Sequence, residues 1–121
     1  MSYQRIDRIS EEVKRELSDI IRNSVKDPRI SPMFSVVKVE TTRDLRHAKV
    51  YVSILGAAED KENTIEGLKR ASGFIRKELG NRLDIRYIPE LHFVLDSSIE
   101  YSIEISKKLE ELRQGREDVN E

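Results

Sequence analysis

Six basic side chains, Lys69, Arg70, Arg76, Lys77, Arg82 and Arg86, lie between residues 67 and 90 against three acidic ones and surround the tripeptide Ala71-Ser72-Gly73. On a helical wheel of ~100° per residue, Lys69, Arg70, Gly73, Arg76 and Lys77 occupy a band roughly 120° wide. That band runs beside the apolar stripe Ile65, Leu68, Ile75 and Leu79, not across it. Lysine ammonium groups and arginine forks at this spacing suit phosphate oxygens, and a glycine among them admits a phosphate close to the backbone. A helix starting at Gly73 would add free backbone N–H groups at its first turn. Such a set holds a nucleic-acid backbone by charge and shape, RNA being the class it suits best. A solvated charged helix face would use the same residues, and Glu62 and Glu66 share the band. Only Phe74 is aromatic beside the tripeptide, and it is expected in the core, so any RNA contact is expected to be phosphate-led.

Other chemistries find little material. With no cysteine there is no thiolate ligand, Cys nucleophile or disulfide. His47 and His92 are far apart in sequence with no carboxylate at ligand spacing; exposed strand histidines are the expectation, and no metal site is assigned. No phosphate-cradling glycine loop of the P-loop or dinucleotide kind occurs, and no nucleophile elbow. Glu59-Asp60-Lys61-Glu62 reads as a solvated loop and helix start without a second convergent ligand set, and Ser97-Ser98 reads as a helix cap. Neither catalysis nor a cofactor is expected; a small phosphate-ester hydrolase would need a base and an electrophile that are not found.

The chain has 121 residues, 37% hydrophobic and 37% charged, which suits one small core and argues against wholesale disorder. No apolar run approaches the ~18 residues of a membrane span, and Met1–Arg8 lacks the apolar stretch of a signal peptide. A cytoplasmic location with no membrane contact is therefore expected. Net charge is −1, yet residues 67–90 carry 6 basic and 3 acidic groups, whereas 91–121 carry 4 and 8. A chain polarised in this way offers a local positive face to phosphate while staying near neutral overall.

These residues must be positioned by an ordered set of elements. Ile6, Ile9, Val13, Leu17, Ile20 and Ile21 form one helical stripe that Asp27-Pro28 stops. Phe34–Thr41 and Ala48–Ile54 read as two strands of an antiparallel hairpin joined by the polar Thr42–Arg46. A third strand fits Glu90–Leu95, with Leu91, Phe93 and Leu95 inward, and Pro89 at its entrance. Between them, Asp60–Leu83 has a helical pattern containing Gly67 and Gly73, each costing about 1 kcal/mol relative to alanine. Two helices meeting at Ala71-Ser72-Gly73 are expected. The last helix opens at the capping-box pattern Ser97-Ser98-Ile99-Glu100 and ends near Gly115. Its stripe of Ile99, Ile103, Leu109 and Leu112 is expected to complete the core; the alternative is a docking surface for a partner protein. The result is an α+β fold: one domain over residues 1–114 with a flexible charged tail at 115–121.

The ordered pieces resemble bacterial ribosome-binding factor A from Arg5 to about Leu112. They are the opening helix, Asp27-Pro28-Arg29, Val39-Glu-Thr-Thr-Arg-Asp-Leu45, Ala48-Lys-Val-Tyr-Val-Ser53, Ala71-Ser-Gly-Phe-Ile-Arg76, Arg86-Tyr-Ile-Pro-Glu-Leu-His-Phe93 and Asp96-Ser-Ser-Ile-Glu100. The resemblance implies a KH-like type II fold whose G-x-x-G loop is replaced by an A-x-G kink at Ala71-Ser72-Gly73. It implies a non-enzymatic factor that binds the immature 30S subunit, assists maturation of 16S ribosomal RNA near its 5′ end and decoding region, and supports growth in the cold. No DNA partner is expected, and since nothing in the sequence demands a dimer a monomer is expected. Carried over, the RNA face is Lys69, Arg70, Ala71, Ser72, Gly73, Arg76 and Lys77 with Arg82 at its margin, and Arg43, Arg46 and Lys49 of the hairpin as secondary contacts.

Overall fold

The stripe of the opening helix is buried as its spacing requires: Ile6, Ile9, Val13, Leu17, Ile20 and Ile21 line the core side of α1 (Tyr3–Asn23). The computed structural model describes the backbone of residues 3–96 and 98–119 and the side chains of 5–96 and 104–114. Strands β1 (Phe34–Thr41) and β2 (His47–Ile54) pair antiparallel, and β3 (Glu90–Leu95) adds to β2 in parallel, giving a three-stranded sheet of order β1-β2-β3 among the described residues. The chain reaches β3 through α2 (Ala58–Arg82), because parallel strands need a long crossover. Helix α1 packs on β1 and α2 on β3, and the two helices touch, so one face of the sheet is covered and the other faces solvent. The order of elements is that of the expected KH-like α+β fold.

Phe34, Val36 and Val39 are all buried although 36 and 39 have opposite parity. A bulge between Val36 and Lys38 absorbs the extra residue and resets the phase. The hairpin connection is less polar in effect than in composition. Leu45 adopts φ 60° and buries its side chain in the core, while Thr42 and Asp44 tie the turn together. The Thr42 hydroxyl, and then the Arg46 backbone N–H, donate to the Asp44 carboxylate and hold it below its ordinary pKa.

The structure corrects five readings of the sequence. Helix α2 is one continuous element through Ala71-Ser72-Gly73, not two helices, so Gly73 offers no helix N-terminus. Phe74, expected in the core, is 46% exposed, and Leu95, expected inward, is 42% exposed where β3 runs past the core. Helix α3 (Ser98–Val119) continues beyond Gly115. Its described side chains, Glu104–Gln114, are all exposed, Leu109 and Leu112 among them, so they do not complete the core. Two helices already cover the helical side of a sheet this narrow. Ser97, Ile99, Glu100 and Ile103 lie outside the residues whose side chains are described.

Of the three glycines of α2, Gly67 and Gly80 face close neighbours and Gly73 does not. A Cβ at Gly67 would sit 2.9 Å from Ile30 Cγ1 and 3.3 Å from Arg29 Cβ. The missing side chain thus lets the Asp27–Ile30 loop lie against the helix, where buried Thr64 accepts a hydrogen bond from the Ser31 N–H. A Cβ at Gly73 would meet nothing within 4 Å. Packing does not require that glycine.

Arg82 links the two helices: its guanidinium donates to Glu16 Oε2 at 3.2 Å and to Asp19 Oδ2. The Arg82 bond, followed by that from Asn23, holds the Asp19 carboxyl below its ordinary value, while Arg82 is raised. A depressed carboxyl contributes stability that is present above its unfolded pKa of ~3.9 and is lost as pH falls through the folded one. Thermal melts of wild type and Arg82→Ala are therefore expected to differ at neutral pH and to converge at strongly acid pH. Equal separation at both would show that the pair is not coupled to folding.

Candidate functional site

The expected basic residues of α2 all meet solvent, Arg76 and Arg82 included. Lys69, Arg70 and Lys77 are exposed, as is Gly73 among them, while Thr64, Gly67, Leu68, Ile75 and Leu79 face inward. Ala71 and Ser72 are half-buried at the edge of this band. Lys69 and Lys77 form no ion pair with a described residue, and Arg70 pairs with Glu66 one turn away at 3.3 Å. An exposed pair of this i,i+4 kind is weak, so Arg70 can exchange Glu66 for a phosphate at small cost.

The remaining arginines are more strongly committed. Arg76 donates to the carbonyls of Pro89 at 3.2 Å and Ile88 at 2.9 Å, pinning the approach to β3 against α2. Arg82 points to α1, away from the tripeptide in its bonding, and its work is to join the helices.

The hairpin supplies a second basic group on the neighbouring surface. Arg46 and Arg86 each lie 5.4 Å from the ring centroid of Tyr87, which is 44% exposed. With Arg76, His47, Ile88 and Glu90 they line an open cleft of about 560 Å³. Arginines on an exposed aromatic ring are a stacking platform for a base together with charge for its phosphate. Tyr87 escaped the sequence reading because nothing local says that its ring stays out of the core. Lys49 lies on the solvent face of β2 over Tyr51, 5.3 Å from the ring centroid, and Arg43 is exposed in the hairpin turn. The cleft joins Arg46 to Arg76, whereas Arg43 and Lys49 do not line it.

The histidines are exposed on strands as expected, but they are neighbours in space. Parallel pairing sets His47 opposite Glu90 and Lys49 opposite His92, all on the solvent face. His47 Nδ1 lies 3.0 Å from His92 Nε2 and 3.7 Å from Glu90 Oε2. A carboxylate does stand at ligand distance, contrary to the expectation from linear spacing.

A basic helix stripe thus lies beside an arginine-tyrosine cleft on a helix-strand-strand-helix-strand frame. The family profile of ribosome-binding factor A matches residues 5–109. The chain belongs to the ribosome-binding factor A family. Its relative from Acetivibrio thermocellus, a ribosome-binding factor A, is 57% identical over 108 residues, covering 89% of this chain and 88% of that one. The crystal structure of ribosome-binding factor A from Thermus thermophilus is similar with a TM-score of 0.66 at 26% identity, over 74% of this chain and 94% of that one. A Thermus thermophilus ribosome binding factor A fitted into a cryo-EM map of a 30S complex is similar with a TM-score of 0.61 at 25% identity, over 76% and 96%. Family membership assigns ribosome binding, not catalysis, to this fold.

Proposed function

We infer that this chain is a non-catalytic assembly factor that binds the 30S subunit and assists maturation of its 16S ribosomal RNA. The observation that carries the reading is the match over residues 5–109 to a family with a structural neighbour that was fitted into a 30S complex. Among the described residues no helix is long and apolar enough to cross a membrane, and a ribosomal partner supports a cytoplasmic location. Lys69, Arg70 and Lys77 supply phosphate contacts, Gly73 admits the backbone between them, and Arg46, Arg86 and Tyr87 receive a base or a second phosphate. Arg76 orients the cleft by holding Ile88 and Pro89, and Arg82 acts through the α1–α2 contact. Binding energy spent on one conformer of the particle is sufficient to shift its population, so no bond-breaking chemistry is required.

Co-sedimentation with immature and mature 30S particles across a salt series tests this directly. Preferential binding to the immature particle that falls steeply with salt is the expected result. Absence of binding to either particle by folded protein at low salt would overturn the reading.

Gly73 provides a sharper test of the face itself. Since a Cβ there meets open space, Gly73→Ala is expected to stabilise the fold by about 0.5–1 kcal/mol through helix propensity. The same methyl intrudes on a closely approaching phosphate, so 30S affinity should fall while the melting temperature rises. Affinity that rises or stays constant would remove Gly73 from the contact.

The exposed apolar residues of α3 favour a second reading, in which that helix docks on a partner protein. Truncation after Ile103 removes described side chains that are all exposed. It is expected to leave the melting temperature unchanged and, if the basic face is the binding site, to leave 30S co-sedimentation unchanged too. Loss of 30S binding with an unchanged melt would favour docking through α3.

A further inference from the structure

We propose that His47, Glu90 and His92 form a site for one divalent ion of the zinc class at the open end of the β2–β3 pair. Their ligand atoms lie within 4.8 Å of one another, on the solvent face of the sheet. The site follows from strand order. Parallel pairing of His47 with Glu90 and of Lys49 with His92 sets the three side chains on adjacent positions of one surface. The Glu90 N–H donates to Arg46 O at 2.7 Å, which fixes the two strand starts beneath them.

Ligand type and spacing select the ion. Two imidazoles and a carboxylate match catalytic-type zinc sites, which carry three protein ligands and leave a fourth position to water. Hard ions such as magnesium and calcium prefer oxygen ligands alone. Zinc–nitrogen bonds of ~2.0 Å place tetrahedral ligand atoms about 3.3 Å apart. The distances from His47 Nδ1, 3.0 Å to His92 Nε2 and 3.7 Å to Glu90 Oε2, bracket that value. Only the edge between His92 and Glu90 must close, by side-chain rotation of exposed groups. In the metal-free pair one imidazole N–H donates to the other ring. To bind the ion, the donating ring moves its proton to its other nitrogen, so that both facing nitrogens present lone pairs.

Two features sharpen the assignment. The chain has no cysteine and its only histidines are these two, so imidazole or thiolate ligation has no second location. The surrounding arginines do not compete for Glu90: Arg76 bonds to the Ile88 and Pro89 carbonyls, and Arg46 and Arg86 lie over Tyr87. The bound ion would cross-link the first residues of β2 and β3 at the rim of the cleft. The proposal concerns the ion alone and stands apart from whether the basic face carries RNA.

Tag-free, chelator-stripped protein titrated with zinc chloride in phosphate-free buffer should show one binding event per chain by calorimetry. His47→Gln and His92→Gln are each expected to abolish it, and Glu90→Gln to weaken it by at least about tenfold. All three side chains are exposed, so the variants should keep the wild-type circular dichroism spectrum. In the wild type, the histidine ring nitrogens read by NMR should shift at His47 Nδ1 and His92 Nε2 on zinc addition. A titration without heat, an isotherm that survives either histidine substitution, an affinity unchanged by Glu90→Gln, or shifts at the opposite ring nitrogens would each overturn the site.

Discussion

Protein carrying Lys69→Glu, Arg70→Glu and Lys77→Glu together is expected to lose on the order of 10²-fold in affinity for the immature 30S particle. Its fold should survive, because all three side chains are exposed and, among the described residues, only Arg70 has an ion-pair partner, Glu66. A glutamate in place of Arg70, one turn from Glu66, adds a like-charge pair that costs a few tenths of a kcal/mol, too little to unfold a domain. The more diagnostic quantity is the salt dependence. Each lost phosphate contact releases about one counterion fewer, so the slope of log affinity against log salt should become shallower by about 2–3. Reversing Arg8, Arg15 and Lys26, which lie on α1 and the loop after it, changes net charge equally and serves as the control. A slope unchanged in the α2 variant, or a loss matched by the control, would show that this stripe does not meet phosphate. Arg76 is deliberately left intact, since its bonds to Ile88 and Pro89 would make a glutamate there a structural lesion as well as a charge reversal.

Ile75→Ala should do the opposite. Ile75 has no solvent exposure and sits on the core side of α2, while Gly73 and Lys77, two residues to either side, face solvent. Removing three carbons from a site that cannot fully collapse is expected to cost about 2–5 kcal/mol, a large share of the roughly 5–15 kcal/mol typical of a whole domain. The melting temperature should drop by many degrees in a thermal scan. Affinity at low temperature should change only by the folded fraction, which stays near one while the remaining stability exceeds about 2 kcal/mol. Two sets of substitutions on opposite sides of one helix thus separate folding from binding. An Ile75→Ala protein that melts like wild type would contradict the packing of α2 on the sheet.

Helix α2 shows how far linear pattern carries. The wheel placed Lys69, Arg70, Gly73 and Lys77 on one side and Leu68, Ile75 and Leu79 on the other, and the structure agrees. Helical period is a local property, and a stripe that must be buried leaves its opposite face wet. The inference of a break at Gly73 failed because glycine propensity of about 1 kcal/mol is outweighed by the packing of the helix on both sides of it. Gly67 gave the same local signal for a different cause, the close approach of the Asp27–Ile30 loop, which no local pattern encodes. The bulge at Val36–Lys38 was latent in the spacing of Phe34, Val36 and Val39, three buried residues that no unbroken alternation accommodates.

By itself the amino-acid sequence determined the kind and order of the elements, save for the break it suggested within α2, the buried stripes of α1 and α2, the exposed basic stripe and, through its ordered motifs, the family. Each depends on period, turn chemistry or short-range charge, which act over a few residues and are written directly in the chain. Tertiary structure alone decided that β3 joins β2 in parallel, that Arg76 and Arg82 are occupied by carbonyls and carboxylates, and that Tyr87 stands between Arg46 and Arg86. It also decided that His47 and His92, 45 residues apart, meet beside Glu90. These outcomes rest on strand order and register. Both are set by how one complete core closes, so residues distant in the chain become neighbours only when the whole domain has folded.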